Sequence, residues 1–331
     1  MRDVSRRSVL ARASATLLSG LFGRAAMARD PVSPSPPSSP FPGGPVLPEE
    51  RRAAIRLLSA ARYWGCQYQN IDVDRLSASA LDFIVVDHAL GVPESIIASP
   101  EDVARLKRKP DGGRRIVLGY LSVGEAESYR PYWRAEWKER PPAWLAAPNP
   151  DWPGAHGVRF WDPAWQDIVY SGRHSILNCI VDAGFDGVFL DRVDAYADWL
   201  RTRARAVDDM IALVGGLAAH AREAAPGFLV VGQNAEGLLR DARYRGHIDG
   251  AAKESLLFGL RGAGVRNTDA DIAWSLAGLN AVKRDGLPVF AIEYIDDPAQ
   301  IARARDELDA MGFQPFFARR ALDELPVSYV R

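Results

Sequence analysis

In the stretch Gly184-Phe185-Asp186-Gly187-Val188-Phe189-Leu190-Asp191-Arg192-Val193-Asp194, an apolar run stops abruptly at carboxylates. A buried parallel strand delivers an acid to an active-site rim in this way. Asp191 is therefore the leading catalytic candidate. The same pattern recurs where Phe83-Ile84-Val85-Val86 meets Asp87, where Ile116 to Tyr120 leads on to Glu125, where Val230-Val231-Gly232 reaches Gln233-Asn234, and where Val289-Phe290-Ala291-Ile292 stops at Glu293. One such acid alone can be a strand cap that accepts backbone N–H bonds. A series of them points to carboxylates and amides gathered along one rim.

The elements that would carry these residues alternate. Short β-rich runs at 62–68, 83–87, 116–121, 187–191, 228–233, 249–254, 288–294 and 313–318 are separated by stretches with the apolar spacing of amphipathic helices, at 164–183, 199–224, 268–284 and 297–311. Eight strands with intervening helices predict an α/β fold, a single (β/α)8 TIM barrel over 49–331. The rival, a doubly wound open sheet, lacks the Gly-rich phosphate turn at its first strand-to-helix junction. After the third strand comes a long insertion from Glu125 to Asp162, which holds Tyr129, Tyr132, Trp133, Trp137, Trp144, Trp152 and Trp161. Long loops in compact domains tend to be functional, and flat aromatic faces form stacking platforms for sugars or organic cations. Packing into a satellite core is the competing use of these rings. Asp162-Pro163 reads as an N-cap followed by a first-turn proline, so Trp161 and Trp165 beside it are expected to be structural.

Taken in order, Tyr63-Trp64-Gly65-Cys66-Gln67, Leu118-Gly119-Tyr120-Leu121-Ser122-Val123-Gly124-Glu125-Ala126-Glu127, the run from Gly184 to Asp194, Gln233-Asn234, Lys253-Glu254-Ser255-Leu256 and Ile292-Glu293-Tyr294 resemble glycoside hydrolase family 114, the endo-α-1,4-polygalactosaminidase-like barrels. The resemblance covers nearly the whole chain after residue 48. It implies that an Asp closing the fourth strand and a Glu closing the sixth form the catalytic pair, here Asp191 and Glu254. It also implies an endo mode of cleavage. Barrel geometry supports the pairing independently, because inward-facing residues of alternate strands share a layer. Breaking an acetal needs one ionised carboxylate and one that holds a proton, and crowded negative charge helps raise the second pKa. The expected roles are Asp191 as nucleophile and Glu254 as general acid/base in a retaining mechanism.

A salt bridge from Glu254 to neighbouring Lys253 would compete, but adjacent strand residues point to opposite faces. Glu293 is a rival acid on the seventh strand, and Glu236 is expected near the rim. Asn234 reads as a substrate-orienting amide. Asp87, Glu125, Glu127, Asp194 and Glu293 would surround the pair with negative potential, which suits a cationic amino-sugar polymer, unless arginines such as Arg192 satisfy them. Further expected substrate contacts are Tyr120, Tyr294, Trp64, Tyr68 and Trp133. The chain departs from the family pattern with Cys66 where a tyrosine is usual, Tyr68 where an aliphatic is usual, and His88 beside Asp87. A non-catalytic polysaccharide-binding barrel and an α-glycosidase for neutral glycans are the alternatives.

A formal net charge of −1 and the lack of a Lys/Arg-rich run argue against nucleic acid as a partner. The scattered histidines show no His-Glu-x-x-His spacing and no Cys-x-x-Cys occurs, so no metal or cofactor is expected. Residues 1–28 read as an export signal, with Arg6-Arg7 ahead of a weakly apolar segment and Ala26-Met27-Ala28 as a cleavage site. The paired arginines resemble a twin-arginine signal, with an ordinary Sec signal as the alternative. The apolar segment is too short for a permanent membrane anchor. Residues 29–48, rich in Pro and Ser, read as a linker, and the expected location is periplasmic or extracellular. Cys66 and Cys179 are expected to be packed, unpaired thiols, one on a strand and one on an outer helix.

Overall fold

The computed structural model describes residues 47–90 and 98–326. The expected export signal and nearly all of the linker lie outside the described residues. Eight parallel strands run in one sheet in simple sequential order: Trp64–Gln67, Phe83–Asp87, Ile116–Ser122, Gly187–Asp191, Leu229–Gln233, Gly250–Glu254, Val289–Glu293 and Gln314–Phe317, the first to eighth strands below. Helices cover the outside, and the sheet curls into a nearly closed (β/α)8 barrel. The central strands are buried along their whole length, which explains why they read as unbroken apolar runs instead of alternating ones.

The helices start where their side chains can satisfy free N–H groups. Thr268 and Asp271 form a capping box at the head of the helix Asp269–Arg284, and Asp297 caps Pro298–Ala310 with proline in the first turn. The helix Ala206–Ala224 turns Met210, Leu213, Val214 and Leu217 to the barrel. The stretch 164–183, expected as one helix, is broken. Pro163–Gln166 passes into a π-turn over Asp167–Ser171, and Ser175 caps a fresh helix at Ile176–Asp182. Cys179 lies half-buried on that last helix, and Cys66 is buried on the first strand.

Strand register tells which side chains enter the barrel. Trp64 stacks on Phe83 with ring centroids 5.5 Å apart and packs against Phe290 and Phe316, so these rings form its apolar floor. Paired residues on neighbouring strands share a face and alternate residues return to it. Counting from Phe83, the inward face carries Asp87, which pairs with Tyr120, which pairs with Phe189. Two residues beyond Phe189 comes Asp191. Phe189 pairs with Val231, Gln233 with Ala252, and Glu254 with Ile292, so Gln233 and Glu254 face inward at the same end.

The eighth strand does not complete a backbone ladder with the first. Instead Trp64 Nε1 donates to the Gln314 carbonyl at 2.9 Å, and the segment after the eighth strand lies along the first, with the Tyr68 N–H donating to the Leu322 carbonyl at 2.8 Å. Among the described residues, no helix is long and apolar enough to cross a membrane.

The insertion after the third strand folds on itself. Glu125–Glu127, Ala155–Val158 and Leu145–Pro148 make a small antiparallel sheet. Trp144 sits between Trp137 and Trp165, each with its ring centroid 5.1 Å away, while Trp133 packs on Trp137 and His156. Most of the insertion's aromatic rings therefore form a satellite core.

Candidate active site

At the C-terminal mouth, hydrogen bonds link the ends of five consecutive strands. Tyr120 donates its hydroxyl to Asp191 Oδ2 at 2.8 Å, and Gln233 Nε2 and the Arg192 N–H donate to Asp191 Oδ1 at 3.4 and 2.8 Å. Across the fifth strand, Asn234 Nδ2 donates to Glu254 Oε1 at 2.7 Å, and Tyr294 donates its hydroxyl to Glu254 Oε2 at 2.6 Å. Each acid thus has a phenol on one oxygen and an amide on the other. Gln233, only 1% exposed, separates them, and its Oε1 accepts no hydrogen bond among the described residues. A buried acceptor at such a spot is suited to a ligand hydroxyl.

The backbone is strained along the same arc. Arg192, Asn234 and Ser255 sit at φ of 57°, 56° and 56°, in the left-handed region. They directly follow the ends of the fourth, fifth and sixth strands. Such conformations cost a side-chain-bearing residue of order 1 kcal/mol and cluster at functional sites. Here each turn lets the chain leave the barrel at once, keeping Asp191, Gln233 and Glu254 at the lip.

The acids around this pair are largely answered by arginines. Arg130 makes a two-pronged contact with Asp87 at 2.7 and 3.0 Å, and its Nε reaches Glu127 at 2.6 Å. Burial would raise the pKa of Asp87, but the guanidinium outweighs it and holds the carboxyl at about 2. Arg192 reaches Glu125 at 2.9 Å, Asp194 at 3.3 Å and Asp198 at 2.8 Å. Burial nevertheless pushes Glu125 up to about 7, against Arg192 and the Asn149 amide. A similar shift takes Asp194 to about 6, although 42% of its side chain remains exposed and water there screens it.

A cleft beside Asp191 is lined by Tyr68, Gln69, Tyr120, Glu127, Tyr129, Trp152 and Ala321. The Tyr68 and Tyr120 rings lie 4.6 Å apart and form one wall. Two half-buried carboxylates on alternate strands, held by donors beside an aromatic-lined cleft, can carry out acid/base or nucleophilic chemistry on an acetal. A model of the glycoside-hydrolase family GH114 matches residues 52–330. The chain belongs to that family and is a glycosidase. It is 37% identical over 286 residues to an uncharacterized protein of Deinococcus radiodurans, covering 85% of this chain and 87% of that one. It is 32% identical to an uncharacterized protein of Methanocaldococcus jannaschii over 279 residues, covering 79% and 77%. Its fold is similar to the glycoside hydrolase domain of PelA from Pseudomonas aeruginosa, with a TM-score of 0.61 and 24% identity over 81% of this chain and 99% of that domain.

Within this GH114 barrel the residues singled out from sequence fall into groups. Asp191, Glu254, Asn234, Tyr120 and Tyr294 meet in the hydrogen-bonded arc, and Tyr68 and Glu127 line the cleft. Trp64 does not reach the mouth: it opens the first strand, four residues before Tyr68, and is 0% exposed in the barrel floor. Trp133 belongs to the satellite core. Glu293 has the opposite parity to Ile292, so it leaves the barrel interior and accepts the N–H groups of Leu257 and Phe258 at 2.7 and 3.1 Å. It braces the turn after Glu254. His88 is buried and donates Nδ1–H to the Tyr120 carbonyl at 3.0 Å, propping the strand that carries that phenol. Lys253 ion-pairs with Glu236 at 2.8 Å behind the sixth strand.

Sequence reasoning set Gln233 on the rim and Tyr129 and Trp152 among the insertion's possible stacking rings without giving any of them a site role, and it missed Arg130. Gln233 was accessible, since it ends an apolar strand directly before Asn234. Arg130 and Trp152 were not, because the insertion's own folding brings them to the mouth.

Proposed function

We propose that this glycosidase cleaves α-1,4-linked, galactosamine-containing polysaccharide within the chain and with retention of anomeric configuration. In this reading Asp191 attacks the anomeric carbon while Glu254 gives a proton to the departing glycosidic oxygen. Glu254 then takes a proton from the water that releases the glycosyl-enzyme. The convergence of the two inward acids on either side of Gln233 carries the proposal. Tyr120, Gln233 and the Arg192 N–H favour an ionised Asp191 by donating to it. The segment 1–28, with its paired Arg6-Arg7, supports export to the periplasm or cell exterior, where such a polymer would be met.

Incubating the purified protein with galactosamine-rich polymer and weighing the released oligomers by mass spectrometry tests the reading. NMR of the first product assigns the anomer. Asp191→Asn and Glu254→Gln are each expected to lower turnover by about 10²-fold or more while the polymer still binds. A protein that only binds polymer would release nothing even as the wild type.

The two arginines favour a second reading, in which the substrate is a neutral α-glycan, because Arg130 and Arg192 cancel part of the acidic ring. Salt separates the two. Binding of a cationic polymer should weaken steadily between low and physiological ionic strength, whereas binding of a neutral glycan should not change.

A further inference from the structure

The Asn234 carboxamide bonds through both ends, and its orientation decides what Glu254 can do. Its Oδ1 accepts from the Glu254 N–H at 3.2 Å and from Lys253 Nζ at 3.4 Å, which leaves Nδ2 to donate to Glu254 Oε1. Lys253 is itself anchored: it points away from the barrel interior, is 8% exposed, and pairs with Glu236, which also accepts from the Ser275 hydroxyl at 3.1 Å. The Glu236 backbone is fixed in turn by Gly278 of the helix Asp269–Arg284, where a Cβ would lie 2.4 Å from the Glu236 carbonyl oxygen.

We infer that Lys253, clamped by Glu236, is a positioning residue that holds the Asn234 amide with its NH₂ toward Glu254 and so makes Oε2 the oxygen that carries the transferable proton. The logic is one of donors and acceptors. The oxygen that receives the Asn234 N–H cannot present a proton to the same nitrogen, whereas the Tyr294 hydroxyl on Oε2 can turn from donor to acceptor, so a protonated Glu254 keeps its hydrogen on Oε2. Were the amide reversed, Asn234 Oδ1 would face Glu254 and take that proton in an unproductive hydrogen bond. An ammonium beside Oδ1 opposes the reversal, because turning the NH₂ toward Lys253 would set donor against donor. The left-handed backbone at Asn234 needs the same support, and Glu236, two residues further on, supplies it through Lys253.

The inference rests on the proposed roles of Asp191 and Glu254, and the leaving group distinguishes them. A polymer needs its departing oxygen protonated, whereas an aryl glycoside with an acidic phenol does not. Lys253→Met is expected to lower kcat on the polymer by about 10- to 100-fold with KM within about threefold, and to lower kcat on the aryl glycoside by less than about threefold. Lys253→Arg should recover most of the polymer rate. Equal losses on both substrates, a rise in KM in place of the fall in kcat, or an arginine variant as slow as the methionine variant would overturn it. If Lys253→Met does not fold, Glu236→Gln takes its place and must show the same leaving-group split. Should the wild type ignore galactosamine polymer, the substrate reading fails, and the split is measured on whichever glycan and aryl glycoside the wild type cleaves.

Discussion

Tyr120 and Tyr294 each give a hydroxyl to one of the two acids proposed as catalytic, from a neighbouring strand, at 2.8 and 2.6 Å. These two bonds have opposite consequences. A donor on Asp191 favours its charge, as a nucleophile requires, whereas a donor on Glu254 must turn to accept once Glu254 is protonated. In the proposed retaining reaction Tyr120→Phe is therefore expected to slow glycosyl-enzyme formation, and Tyr294→Phe to impair proton delivery. Each should reduce kcat by about tenfold, consistent with the 1–1.5 kcal/mol of a single hydrogen bond. Steady-state kinetics with substrates of graded leaving-group acidity reads the difference: the Tyr294→Phe deficit should fade as the leaving group becomes more acidic, and the Tyr120→Phe deficit should not.

At the scale of elements, the fourth strand is tied to the third by more than ladder bonds. Gly124 lies so close to the turn after Asp191 that a Cβ there would meet the Arg192 carbonyl oxygen at 2.3 Å and Ala195 Cβ at 2.4 Å. The Val123 N–H also donates to the Asp191 carbonyl at 3.0 Å. Gly124→Ala should force the two turns apart and cost about 1–3 kcal/mol, seen as a lower urea midpoint, with a loss of activity larger than the loss of folded protein accounts for. Elements of this kind were legible in the sequence to very different degrees. All eight barrel strands could be read as short β-rich runs, and Asp191 followed from where an apolar run stops, whereas Glu254, closing Gly250-Ala251-Ala252-Lys253, was named by the family resemblance. The opposite facing of Glu293 was also implicit in the period of two, but only once the register of its neighbours is known. The insertion could not be resolved into platform and core, since both uses call for the same tryptophans. Arg130 reached Asp87 from 43 residues away, a contact that no local pattern encodes.

For the molecule as a whole, the buried carboxyls set how stability responds to pH. Glu125 and Glu293 both lie near 7 in the folded state because burial raises them, above the 4.5 usual for a glutamate. They hold protons more tightly folded than unfolded, so their contribution is present below about pH 4.5 and is lost as pH climbs to about 7. Asp87, held near 2 instead of 3.8, acts in the other direction: its contribution is complete above about pH 4 and disappears as pH falls through 2. Urea unfolding should show the highest stability near about pH 4 to 5, with a loss of a few kcal/mol on going to pH 7. A midpoint that rises over that interval would show that Arg192 and the backbone donors, not burial, govern the two glutamates.

The seam between the first and eighth strands also bears on how this molecule is made. Ala321 lines the cleft, and Leu322 and Asp323 accept bonds from Tyr68 and Gln67 of the first strand and its turn. A wall of the cleft is thus supplied by the last stretch of the barrel to leave the ribosome. A nascent chain therefore lacks both Phe316 of the floor and this wall of the cleft until its trailing residues dock against a strand synthesised some 250 positions earlier.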